Sequence, residues 1–162
     1  KKKIKTITAE KAASQASGNI NKALSELKSE NLSQQTMEIF QDWMRLCYQA
    51  DLLKITDWVE KISKQGREQQ KFFLRYALQM VRSSLIYNVT NVNIQHLRKE
   101  ELDFVKKVSA FIHENNIIKL TKTLEKAHND ISRNATSKIV FNDISLKVIL
   151  LLRVKSLNLQ SK

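Results

Sequence analysis

Few side chains in this sequence have the types and the spacing that catalysis or metal binding requires. The three histidines, His96, His113 and His128, have no partner at metal-ligand spacing. The sequence also contains no arrangement of serine, histidine and acidic residue that predicts a nucleophilic triad. The two glycines, Gly18 and Gly66, stand alone, which excludes a glycine-rich phosphate loop. We therefore expect no enzyme, no cofactor and no metal site in this chain.

The carboxyl groups that stand close in sequence fall on predicted solvated faces. These are Glu100 with Glu101, and Glu114 with Asp130, and such faces rarely shift a carboxyl pKa as acid–base catalysis requires. The single cysteine, Cys47, lies among apolar residues at helical spacing, so we predict a buried, inert thiol. One cysteine also excludes an internal disulfide and indicates a reducing, cytoplasmic location.

Positive charge is the feature that favours a direct ligand. The chain carries 28 Lys and Arg against 16 Asp and Glu, a formal net charge of +12, and such an excess favours contact with a polyanion. Lys119, Lys122 and Lys126 fall on one side of a predicted helix, and Arg133 follows two turns later. The same residues could equally form the ordinary solvated face of that helix.

Composition predicts that helices position all of these residues. The chain has no proline and only two glycines, whereas average usage would give roughly 8 and 11. Long helices and an all-α fold are therefore the expectation, and 42% apolar residues suffice for one core. The longest apolar run, residues 148–152, is far short of the roughly 20 residues of a membrane span, so we expect a soluble chain.

Apolar periodicity then divides the sequence into elements. Helices of a first unit are predicted from Thr8 to Gly18 and from Asn19 onward, and the polar stretch 29–35 is the predicted boundary. Ser33 would cap the next helix. Further helices are predicted to begin near residues 52, 67, 99, 117 and 143, with a loop at 88–95. The helix that begins near residue 99 is predicted to end near residue 113.

Residues 133–143 interrupt the helical pattern. Asn134 tolerates a left-handed conformation and should end one helix. Residues 139–141 are predicted to be an extended apolar tripeptide, after which Asp143 would cap the final helix. That last helix has few polar positions, so it must be largely surrounded by protein.

Two segments together resemble a known family. The first contains Arg67, Glu68, Gln70, Lys71, Phe73, Leu74 and Tyr76, and the second contains Arg133, Asn134 and Lys138. In this order they resemble the C-terminal part of the delta-prime subunit of the bacterial DNA polymerase III clamp loader. Thr136 stands where that family has a second asparagine, and the resemblance covers about residues 8–155.

The resemblance implies a domain division. Residues 1–28 would be the tail of the lid domain that follows an ATPase fold, 29–35 a linker, and 36–162 a helical collar, or oligomerisation, domain. Asn21 occupies the position at which active ATPase relatives carry an arginine that senses nucleotide phosphates, and an amide cannot replace that charge. Since the sequence begins without methionine, we also expect further domains upstream.

The function implied is a non-catalytic assembly domain of DNA polymerase III. It would pack against the other clamp-loader subunits, and the whole assembly would place the sliding clamp on DNA, with no membrane involved. Candidate interface residues are Trp43, Trp58, Arg67, Phe72 and Arg75, because aromatic residues and arginine are enriched in interfaces, although the same residues could fill the core. The alternative function is a free-standing basic helical nucleic-acid-binding domain.

Overall fold

The fold is helical throughout the part of the chain that can be described. The computed structural model describes residues 20–90 and 97–154, with side chains from residue 31 onward. Over these residues it contains six α-helices and no strand, which confirms the predicted all-α class. They are α1 (Ile20–Gln49), α2 (Leu52–Ser63), α3 (Arg67–Thr90), α4 (Lys99–Val108), α5 (Glu114–Ser132) and α6 (Ser137–Leu151), with a 3₁₀ turn at Ser109–Phe111.

The chain divides into two compact units, Lys1–Ile39 and Phe40–Lys162. The helix start predicted at Ser33 is wrong, because α1 continues through residues 29–35 without interruption. That stretch contains neither glycine nor proline, and its leucine, glutamate and glutamines favour helix. The predicted three-part domain division stays a prediction, and the helix predicted from Thr8 lies outside the described residues.

Helix α1 ends in a Schellman motif built on an alanine. Ala50 has a φ of 54°, and its amide donates to the carbonyl of Cys47 at 3.2 Å. The next amide, of Asp51, reaches back to Leu46 at 3.3 Å. These bonds satisfy carbonyls that the helix leaves free, at the cost of a left-handed backbone on a residue that has a Cβ.

Helix α5 ends in the same way, on the residue that the sequence indicated. Asn134 has a φ of 64° and donates to Ile131 at 3.1 Å, while Ala135 donates to Asp130 at 2.9 Å. Asparagine adopts this conformation more readily than most residues. The predicted end of this helix is confirmed.

The start of α6 differs from the prediction. The carbonyl of Thr136 accepts from the amides of Ile139 and Val140, so the helix begins at Ser137 and residues 139–141 are helical. Asp143 lies within the helix and pairs with Lys147 at 2.6 Å. The prediction of an extended tripeptide followed the strand preference of its Ile, Val and Phe, which packing overrides here.

Two other helices end at residues different from those predicted. Helix α3 continues through Thr90, so residues 88–90 are helical, and the rest of the predicted loop, 91–95, lies outside the described residues. Helix α4 ends at Val108, five residues before the predicted end, and the chain then passes through the 3₁₀ turn to an extended Ile112.

Packing within the second unit centres on α3. It packs most extensively against α5 and also contacts α4, while α6 packs against α5 and α2. Apolar side chains that are almost fully buried fill the space between these helices. The largest of them are Phe40, Trp43, Phe73, Leu74, Met80, Leu120, Leu124, Phe141 and Ile144.

Candidate functional site

The two segments that carry the family resemblance meet in the structure. Arg67, at the start of α3, donates to the carbonyls of Ile131 and Ala135 at 3.2 Å and to that of Asn134 at 3.4 Å. These carbonyls belong to the last turn of α5 and the turn that follows it, where a helix presents unpaired acceptors and a partial negative charge. Arg67 therefore caps α5 from a position 64 residues away in the sequence.

Gln70 makes the second connection between the two segments. Its side chain is 1% exposed, and its amide nitrogen donates to the carbonyls of Ile62, Ser63 and Gln65 at 3.3, 3.4 and 2.8 Å. Its oxygen accepts the hydroxyl of Ser137, the first residue of α6, at 2.8 Å. One amide thus joins the end of α2 to the start of α6.

We call Arg67, Gln70, Asn134 and Ser137 the polar junction. Lys138 extends it by an ion pair with Glu60 of α2. Each residue bonds another part of the chain or shapes its backbone, so the junction is a structural device that holds two helix–turn–helix connections together. It contains no nucleophile paired with a base.

The remaining residues of the two motifs have ordinary structural places. Phe73 and Leu74 are each 1% exposed and belong to the core. Glu68 and Lys71 pair with each other on the surface of α3, and Arg133 is exposed.

Tyr76 and Glu101 form a buried polar contact between α3 and α4. The Tyr76 hydroxyl donates to the Glu101 carboxylate at 2.8 Å, and Arg98 donates to the same oxygen at 2.9 Å. Burial raises the pKa of the Glu101 carboxyl, but the hydrogen bonds from Arg98 and Tyr76 outweigh it, so the pKa lies below its usual value. Burial, together with the bond to Glu101, raises the pKa of Tyr76.

This contact corrects one prediction. Glu101 was expected on a solvated face with Glu100, yet it is 6% exposed, while Glu100 is exposed. The sequence signal that could have identified Glu101 is a capping box, since its carboxylate also accepts the amide of Arg98 at 2.9 Å.

Two of the candidate interface residues are core residues. Trp43 and Trp58 are 1% and 7% exposed, and their rings stack at 5.7 Å with 22° between the planes. The Trp43 indole also donates to the hydroxyl of Ser145 at 2.8 Å. Both tryptophans therefore have almost no surface that a partner could contact. Of the five candidate interface residues, Arg67 belongs to the polar junction, and the remaining two are the partly exposed Phe72 and the exposed Arg75.

Cys47 and the two described histidines, His113 and His128, have structural surroundings. Cys47 is 1% exposed, and burial raises the pKa of its thiol to about 12, so the predicted inert thiol is confirmed. His113 is the residue before the start of α5 and is buried, and its Nε2 meets the carbonyl of Val154 at 2.9 Å. His128 is partly exposed on α5, and His96 lies outside the described residues.

Asn116 has a role that sequence analysis missed. Its side chain is fully buried and donates to the carbonyls of Phe111 and Leu151, at 2.7 and 3.1 Å. It thereby ties the start of α5 to the end of α6. A polar residue three positions after His113 was the available signal, because such a residue can close a capping box.

The outer face of α6 is apolar and exposed. Ile139, Leu146 and Leu150 are 69%, 50% and 68% exposed, and their spacing of seven and four residues places them on one side of the helix. The ion pair of Asp143 and Lys147 lies beside them. We call these three side chains the α6 face.

A groove lies between the end of α1 and helix α4. It has a volume of about 540 Å³ and is lined by Met44, Tyr48, Phe104 and Phe111, with Arg45 and Lys107 also on its walls. The Tyr48 and Phe111 rings approach to 4.9 Å. Acids also line it, so the groove has no single sign of charge.

The predicted basic residues are exposed together. Lys119, Lys122, Lys126 and Arg133 all lie on the outer side of α5. The opposite side of that helix carries the buried apolar residues Leu120, Leu124, Ala127 and Ile131. We call the four cations the basic face.

Other classes of site are not found. Residues 20–90 and 97–154 contain no cluster of three His, Cys, Asp or Glu side chains that could hold a metal ion. Among those helices there is also none with both the length and the apolar character needed to cross a bilayer. Asn21 lies in α1, and its side chain is outside the described residues.

Comparison with models of known protein families, with curated proteins and with solved structures finds no match to this chain.

Proposed function

We propose that this chain is a non-catalytic assembly domain, a collar of the kind found in the delta-prime subunit of the bacterial DNA polymerase III clamp loader. In this role the second unit packs against the other clamp-loader subunits, and the complete assembly places the sliding clamp on DNA. The chain itself binds no nucleotide and performs no reaction.

The exposed α6 face is the observation that carries the proposal. A helix that is apolar around most of its circumference is normally covered on all sides. Helix α6 already buries Phe141, Ile144 and Val148 in the bundle, yet Ile139 and Leu150 are about two-thirds exposed. Apolar surface left open on such a helix is typical of a subunit contact.

The α2 helix adds apolar surface at the same end of the bundle. Glu60 lies beside Lys138, and the Trp58 ring lies 5.9 Å from that of Phe141, so α2 runs antiparallel to α6. Its N-terminal turn, with Leu53 83% exposed, is therefore at the end where α6 finishes. The two helices together offer a larger apolar area than either alone.

The polar junction supports the resemblance on which the choice of assembly rests. Two residues of the first motif, Arg67 and Gln70, bond directly to residues at the start of the second segment. The first turn of one motif therefore contacts the beginning of the other. A neutral residue at Asn21 is also consistent with a subunit that does not hydrolyse ATP.

A pair of matched substitutions tests the proposal. Leu150→Asp places a charge in the α6 face, whereas Ile118→Asp places one at a site on α5 that is 63% exposed, close to the 68% of Leu150. We expect Leu150→Asp to weaken binding to the sister clamp-loader subunits by about tenfold or more, and Ile118→Asp to leave it nearly unchanged. Affinity would be measured by titrating the labelled chain with those subunits.

The two variants separate an interface effect from a folding effect. Both should retain the helical circular-dichroism signal and the unfolding midpoint of the wild type, because both sites are on the surface. The proposal fails if the wild-type chain does not bind the sister subunits at micromolar concentration, or if Leu150→Asp binds as tightly as Ile118→Asp.

A further inference from the structure

Positive charge dominates the outer side of α5. Lys119, Lys122, Lys126 and Arg133 follow one another at steps of three, four and seven residues, and all are exposed. At about 100° per residue these steps place the four side chains within roughly 60° of one another around the helix. The basic face is therefore a single narrow stripe.

Little negative charge compensates this stripe. Asp130 lies on the same side of α5, and it is paired with Lys126. Among the described residues, Lys119, Lys122 and Arg133 have no acidic partner within ion-pair distance. Three of the four cations are thus available to an anionic ligand.

The neighbouring helix adds to the positive charge. Glu125 lies next to the stripe, but its carboxylate is held by Arg82 of α3 at 2.8 Å. Arg75, also on α3 and exposed, lines a small groove with Glu125 and Asn129 of α5. The two acids of α5 beside the stripe are therefore each paired, Asp130 with Lys126 and Glu125 with Arg82, and Asp143 of α6 also lies close enough to interact with Lys126. Arg75 adds a fifth cation at the edge of the stripe.

We propose that the basic face binds the phosphate backbone of a nucleic-acid duplex. From residue 119 to residue 133 the helix rises about 21 Å at 1.5 Å per residue. That length corresponds to about six phosphates of one strand, at 3.4 Å of duplex axis for each. The three unpaired cations, Lys119, Lys122 and Arg133, are spread over this distance and can each reach a different phosphate.

The chemistry of the face favours phosphates over bases and over a lipid surface. The four residues of the stripe are lysines and an arginine, which neutralise phosphates without reading sequence. The apolar stripe of α5, formed by Leu120, Leu124, Ala127 and Ile131, is at most 2% exposed because it packs into the bundle. Ile118 is the one apolar side chain of α5 that is largely exposed, at 63%, and one aliphatic side chain is far less than membrane binding requires.

The salt dependence of DNA binding tests this inference independently of subunit assembly. The complete 162-residue chain would be titrated into a fluorescently labelled duplex of random sequence while anisotropy is recorded at several salt concentrations. Three phosphate contacts predict a log–log slope of about −2.7, equivalent to a roughly 40-fold loss of affinity between about 50 and 200 mM salt.

Two double variants with the same change in charge locate the contact. Lys119→Gln with Lys122→Gln removes two cations from the basic face, and we expect the magnitude of the slope to fall by about 2. Lys61→Gln with Lys64→Gln removes two exposed cations from α2, and we expect the wild-type slope to be retained. Circular dichroism would verify that both variants are folded.

Three outcomes would overturn the inference. The first is that the wild-type chain shows no duplex binding at low salt. The second is that the two double variants lower the slope equally, because the charge would then act from no particular face. The third is that the chain binds vesicles containing phosphatidylserine but not the duplex, which would assign the face to a membrane surface.

Discussion

At the scale of single residues, Gln70 shows how one buried amide can connect two helix junctions. Its nitrogen meets three carbonyls at the end of α2, and its oxygen meets the hydroxyl of Ser137. A buried polar group that loses its partner costs about 1–3 kcal/mol. The stability of the bundle should therefore be sensitive to this side chain.

We expect Gln70→Leu to lower the free energy of unfolding by about 1–3 kcal/mol, because Ser137 and the carbonyls at the end of α2, which are buried or partly buried, lose their partner. The control is Gln69→Leu, one residue earlier and exposed, which should change the free energy by less than about 0.5 kcal/mol. Urea unfolding followed by circular dichroism would measure both. Equal effects of the two substitutions would show that Gln70 does not have this role.

Glu101 predicts a pH dependence of stability. Its pKa in the folded chain lies below the ordinary value of 4.5, so the unfolded chain takes up the proton first as the pH falls. The stabilisation that Glu101 provides is then present above about pH 4.5 and is lost as the pH falls through the lower, folded-state pKa.

Glu101→Gln should therefore lower the free energy of unfolding by about 1–2 kcal/mol at neutral pH, and the difference from the wild type should shrink in acid. Glu100→Gln is the control, because that neighbouring side chain is exposed. Urea unfolding at a series of pH values would measure the differences. If the difference in unfolding free energy between Glu101→Gln and the wild type stays constant or increases at acidic pH, the lowered pKa of Glu101 is contradicted.

At the scale of elements, the helix ends show what the sequence could and could not indicate. Asn134 was predicted to be left-handed because asparagine tolerates that conformation, and its φ of 64° agrees. Ala50 has the same role at the end of α1, with a φ of 54°, but alanine is the best helix former and gave no signal. The left-handed conformation of Ala50 results from tertiary packing, so the local preferences of the sequence could not predict it.

This difference leads to a prediction. Ala50→Gly should raise the free energy of unfolding by about 0.5–1 kcal/mol, since the left-handed strain of about 1–2 kcal/mol is relieved and part of the gain is offset by the greater freedom of glycine in the unfolded chain. Asn134→Gly should raise the free energy of unfolding by less, because asparagine is less strained than alanine in the left-handed conformation. Thermal unfolding would measure both, and a clear loss of stability in Ala50→Gly would contradict the left-handed assignment.

Element boundaries failed where a local preference competed with packing. The Ile139–Val140–Phe141 run has a strong strand preference, yet Val140 and Phe141 are buried in the bundle as part of α6. The polar stretch 29–35 suggested a break, but polar residues without glycine or proline can continue a helix. In contrast, the presence of the long helices could be predicted from the apolar periodicity of the sequence.

At the scale of the whole molecule, the absence of proline and the scarcity of glycine correctly predicted that residues 20–90 and 97–154 form helices and no strand. The sequence could not separate core from interface for Trp43 and Trp58, since aromatic residues are enriched in both environments. It did predict that the basic residues of α5 share one side, because that depends only on helical period. The polar junction could not be derived, since it joins residues 64 positions apart.

The exposed α6 face and the polar junction support the central proposal, that this chain contacts the other subunits of a larger assembly. Sedimentation velocity of the chain mixed with the sister clamp-loader subunits at micromolar concentration tests that claim most directly. We predict that the chain sediments with those subunits as one faster species. A chain that sediments alone at its own rate, in the presence of every sister subunit, would contradict the claim.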